Sequence, residues 1–121
     1  MARVVAFIPD LLFGSNVVGA LQAGGYEPVL VPDVDSVSRE LAGAQALIVD
    51  LTADAPVRLE QLEGVLDQGV PSLAFYSHVE ADVRARAEEA GFDLVVPRSR
   101  MAREGAGLID RLLGETEPDL G

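Results

Sequence analysis

The chain has 121 residues, 49% of them hydrophobic, and its 20 acidic and 9 basic residues give a formal charge of −11. That length suits one compact domain, expected over 1–114, followed by an acidic, frayed tail over 115–121. A field of this sign repels polyanions and argues against a nucleic-acid partner, and the lack of cysteine excludes disulfides, thiolate catalysis and cysteine-held metal.

The first apolar run, 4–8, follows Arg3 and is cut by Pro9 and Asp10 well short of a signal-peptide core. No segment is long enough to span a bilayer, so a cytoplasmic location without membrane contact is expected. Further strands are predicted over 28–31, 46–49, 72–76 and 94–96, in short runs rich in β-branched and apolar residues. The first, third and fourth are almost continuously apolar, as strands covered on both faces must be, whereas Pro28 suits an edge position.

Helical spacing fills the intervals. Phe13, Val17 and Leu21 recur every fourth residue before Gly24 and Gly25 stop the first helix. Asp10 stands where an N-cap for that helix is needed. A weak second helix surrounds Val37 and Leu41. The third begins near Asp54 with Pro56 in its first turn and carries Leu59, Leu62, Val65 and Leu66 up to Gly69. The fourth opens on a capping box, Ser77-His78-Val79-Glu80, and the last runs from about Arg100 through Leu108, Ile109, Leu112 and Leu113, weakened by Gly105 and Gly107.

Alternating strands and helices of this length predict an α/β protein: a doubly wound, five-stranded parallel sheet of flavodoxin-like order 2-1-3-4-5. Its crevice lies at the C-terminal ends of strands one and three. Asp10 and Asp50 are therefore expected side by side there, with Tyr76, Ser77, Pro97 and Arg98 on the rim. Neither a dinucleotide fingerprint nor a lysine-bearing phosphate loop occurs, and the apolar stretch after strand one, Leu11-Leu12-Phe13, does not suit a flavin phosphate, so no cofactor is expected. His78, the sole histidine, has no partner set for zinc.

Asp50 closing the third strand, the segment PSLAFYS and the segment AGFDLVVPR together resemble a bacterial response-regulator receiver domain of the chemotaxis-receiver type. The resemblance implies a signalling module rather than an enzyme, with Asp50 as the phospho-acceptor-like residue. It also implies two acidic residues after strand one that help hold magnesium, a hydroxyl after strand four and a lysine after strand five. In their places this chain has a single acid, Asp10, then Tyr76 or Ser77, and Pro97 or Arg98; it contains no lysine at all. The loop after Asp50 also lacks the family's Met-Pro.

These departures read as a degenerate, pseudo-receiver site in a stand-alone protein-interaction module that is not phosphorylated. An atypical phospho-accepting regulator, and a small-ligand-binding or hydrolytic flavodoxin-like protein using Asp10, Asp50, Ser77 and Arg98, are the alternatives. The basic cluster Arg98, Arg100 and Arg103 offers an anion site, but a bridge from Arg98 to Asp50 or Asp10 is the favoured expectation, because arginine's planar fork suits carboxylates. Arg84, Arg86, Arg103, Glu80, Asp110 and Arg111 suggest a homodimer through the face from the fourth to the fifth helix. Leu11, Leu12 and Phe13 are either core or an exposed apolar lip.

Overall fold

A computed structural model describes residues 1–77 and 81–116. Five parallel strands, β1 (Arg3–Phe7), β2 (Glu27–Val31), β3 (Ala46–Asp50), β4 (Ser72–Tyr76) and β5 (Leu94–Pro97), form one sheet in the order β2-β1-β3-β4-β5. This is the expected doubly wound arrangement. The three inner strands are buried almost throughout, while β2 and β5, at the edges, are only partly covered.

Because successive strand residues face opposite ways, the sheet divides the apolar side chains into two cores. Val4, Ala6, Ile48 and Phe75 pack under α1 (Leu11–Ala23) and α6 (Arg98–Thr116), joined by Phe13, Val17, Leu21, Met101 and Ile109. Val5, Phe7, Leu47 and Val49 pack on the other face. That face is covered by α2 (Val34–Glu40), α3 (Ala55–Gln61), α4 (Glu63–Leu66) and α5 (Ala81–Ala90). Phe13 and Phe75 lie with ring centroids 5.1 Å apart, an aromatic contact that fixes the start of α1 over β4.

Local chemistry sets the ends of these elements. Asp10 caps α1 by accepting from the Phe13 N–H at 3.1 Å, and Asp33 caps α2 through the Ser36 N–H at 2.8 Å. At the far end of α1, a methyl group on Gly24 would fall 2.7 Å from the Ala106 Cβ, so only glycine lets α1 and α6 approach this closely. Tyr26, just beyond, donates its hydroxyl to Asp110 of α6, and burial together with that carboxylate pushes the phenol up to about 12.

Two helices depart from the sequence expectation. The third predicted helix is broken at Leu62 into α3 and α4, and the last begins at Arg98, directly after β5, bending at Glu104 (φ −126°, ψ 16°) next to Gly105. Pro28 lies in edge strand β2, opposite Val4. The neighbouring Glu27 N–H donates to the Ala2 carbonyl at 2.9 Å. His78, Val79 and Glu80 of the expected capping box, and 117–121 of the expected tail, lie outside the described residues. Among the described residues no helix is long and apolar enough to cross a membrane.

Candidate functional site

The β1–β3 register pairs Phe7 with Val49, which sets Asp50 level with Ile8 at the C-terminal end of the sheet. Its side chain is 6% exposed. Three contacts surround it, and they come from the loop and helix that follow in sequence. The Thr52 N–H donates to Asp50 Oδ1 at 2.8 Å and the Thr52 hydroxyl to the same oxygen at 2.5 Å, a local turn in which an aspartate accepts from the amide two residues on. The Arg58 guanidinium donates to the Asp50 main-chain carbonyl at 2.6 Å and stands 3.9 Å from Oδ1.

Arg58 reaches this position from the first turns of α3. The chain turns sharply after β3 through Asp54, whose φ of +52° is the one left-handed backbone at a non-glycine residue among those described. Pro56 then starts the helix. The Arg58 guanidinium carbon lies 5.4 Å from the centre of the Phe7 ring, and its side chain is 13% exposed. A nearly buried cation is thus supported by a carbonyl, a carboxylate and an aromatic face, each of which offsets part of its desolvation.

Arg98 was the arginine expected to bridge Asp50 or Asp10. It stands 3.8 Å from Asp10 Oδ2 and lies over the Phe13 ring at 4.2 Å, with both partners about half exposed (50% and 52%). Asp10 therefore serves two neighbours, the cap of α1 and the guanidinium at the start of α6. No hydrogen bond or ion pair of Asp50 goes to Asp10, Ser77 or Arg98 among the described residues.

The rim residues separate as well. Tyr76 is buried in the core on the α2–α5 face, whereas Ser77 lines a groove of about 440 Å³ with Phe13, Asn16, Arg98, Ser99 and Ala102. Arg100 pairs with Glu104 at 3.3 Å, and Arg103 lies 4.0 Å from the same carboxylate. Each of the three arginines offered as an anion site already faces an acid.

The donor set does not fit a magnesium ion of the receiver kind. Among the described residues no three acidic or imidazole groups converge closely enough to share a cation, and the acids at the strand ends are engaged by Thr52, Arg58, Arg98 and the α1 amides. Arg58 and Thr52 were not singled out by sequence reasoning. Thr52 could have been found from its place two residues after a strand-ending aspartate; for Arg58 the sequence shows only that it is the one arginine between Arg39 and Arg84, which does not place it at Asp50.

No family model matches the chain, and no curated protein matches it in sequence. In three dimensions it is similar to the receiver domain of the TMAO respiratory system response regulator TorR, with a TM-score of 0.86 and 12% identity over 97% of this chain and 100% of that one. The receiver domain of a Francisella response regulator gives 0.82 and 11% over 97% and 100%. A receiver domain protein from Clostridium thermocellum gives 0.80 and 12% over 95% and 96%. This chain has the receiver fold. At such identities the likeness is one of fold alone. Within it, Asp50 holds the end of the third strand, and a guanidinium from the next helix stands against it.

Proposed function

We propose that this chain is a receiver-like signalling or protein-interaction module whose Asp50 does not take up a phosphoryl group, because the residue is already engaged by its own chain. The observation that carries this reading is the Arg58–Asp50 contact. Its cation is covalently part of the fold and nearly buried, and it stands beside the acceptor carboxylate where an active site needs a metal and an incoming anion. A permanent internal cation holds the crevice in one state, so the domain acts as a fixed shape presented to a protein partner.

Phosphorylation chemistry tests it directly. The intact protein is incubated with acetyl phosphate and magnesium and its mass is measured at once, before and after brief exposure to alkali. No added phosphate is the expected result. A stoichiometric, base-labile phosphate on Asp50 would overturn the proposal and leave an atypical phospho-accepting regulator in its place.

A further inference from the structure

Of the six helices among the described residues, α1 alone has no charged side chain: its sequence is Leu-Leu-Phe-Gly-Ser-Asn-Val-Val-Gly-Ala-Leu-Gln-Ala, in a chain that is 24% charged. Phe13, Gly14, Val17 and Leu21 are its buried positions. Its outer face carries Leu11 and Leu12, 75% and 77% exposed, the two most exposed large apolar side chains after Met1 among the described residues. Leu12 and Asn16 lie one turn apart on the same helical stripe, and Asn16 borders the groove formed with Phe13, Ser77, Arg98 and Ala102. An apolar projection and an apolar-floored hollow therefore stand side by side on one face.

We infer that this face joins two copies of the chain about a two-fold axis, the Leu12 lip of each entering the α1–α6 groove of the other. The inference is independent of how Asp50 is read. Three features select a second copy as the occupant. A two-fold contact requires one patch to contain both the projection and its receptor, which this face does. Two chains of −11 repel each other, and α1, whose own residues carry no charge, is the helix that adds least to that repulsion when two copies meet. Among the described residues, Arg98 is the one charge that lines the groove, and it faces Asp10, the residue just before the lip; the two are of opposite sign and both half exposed, so that two copies can exchange partners across the axis.

The face from α5 to α6 is a poorer candidate. Arg84 pairs with Glu88 at 3.4 Å and Arg86 with Asp82 at 3.9 Å, each within α5, and Asp110 is taken by Tyr26.

Sedimentation of the full chain from low micromolar to several hundred micromolar, at low and high salt, tests the inference. The expected result is a monomer–dimer equilibrium that tightens as salt screens the like net charges, the opposite of a contact built on ion pairs. Leu12→Glu places a carboxylate on each side of the axis and is expected to weaken the dimer by about tenfold or more. Because Leu12 is exposed, that variant should keep its circular dichroism spectrum and melting temperature, as should the milder Leu12→Ala. Arg84→Glu should leave association unchanged. A monomer at every concentration and salt would overturn the inference. So would assemblies that grow beyond two, or a dimer indifferent to Leu12→Glu and abolished by Arg84→Glu.

Discussion

Arg58 on Asp50 and Arg98 on Asp10 are the same pairing at the same end of the sheet, at nearly the same separation of 3.9 and 3.8 Å, and each guanidinium also lies near a phenylalanine ring. They differ in water. The first pair is 13% and 6% exposed and adds a short hydrogen bond to a carbonyl; the second is 50% and 52% exposed and shares its carboxylate with a helix cap. Charge and distance alone would rank them equal. Desolvation makes the inner pair expensive to break, because removing one partner strands a charge that water cannot reach, whereas the outer pair exchanges one screened contact for hydration. The fold therefore has a fixed latch and a loose one, both at the C-terminal end of the sheet.

Truncating the inner latch should have the largest effect. Arg58→Ala is expected to cost about 3 kcal/mol, the lower end for a buried pair broken on one side, since the guanidinium keeps a little exposure. Urea melts at neutral pH measure it, and the loss should persist in high salt. A loss below about 1 kcal/mol would remove the distinction between the two pairs.

The Tyr26–Asp110 bond is intermediate, with one partner buried and one exposed, and it extends the comparison to a neutral donor. Tyr26→Phe should cost about 1 kcal/mol at pH 8. Its pH dependence has a definite sign. With the folded phenol raised from 10.0 to about 12, its stabilisation is complete below pH 10 and is lost as pH rises through 12, where the folded form also ionises. Urea midpoints of wild type should fall across that window, and Tyr26→Phe should flatten that part of the curve.

The smallest effect belongs to the outer latch. Arg98→Ala should cost less than about 1 kcal/mol, ion pair and ring contact together, and the charge-dependent part should fade in high salt. A loss as large as that of Arg58→Ala would mean that the groove beside Phe13 is drier than its exposure indicates.

Sheet order, strand positions and the Asp10 cap were legible because each rests on a local rule. Short apolar runs with β-branched residues, such as Ala46-Leu47-Ile48-Val49, suit a strand covered on both faces, and an aspartate before Leu11-Leu12-Phe13 has a free helix amide to accept from. The identity of the arginine on Asp50 was not legible. Strand-end adjacency pointed to Arg98, whereas the contact comes from Arg58, placed there by the turn at Asp54. Its left-handed backbone is not marked by a glycine in the sequence. The break at Leu62 was hidden for a similar reason: Leu59, Leu62 and Val65 keep helical spacing on both sides of it. The two exposed leucines could not be told from core ones, since a stripe of apolar residues does not say which of its members the sheet will cover.

Pro28 has a consequence for how this chain behaves in a crowded solution. Alternate residues of a strand send their N–H groups to the same side, and Glu27 sends its own inward to Ala2, so the positions of β2 that face the open edge are 28 and 30. One of those two is proline and has no hydrogen to give. A stray strand seeking to extend the sheet there would find half the donors missing, so this edge resists runaway stacking into aggregates by the absence of an atom.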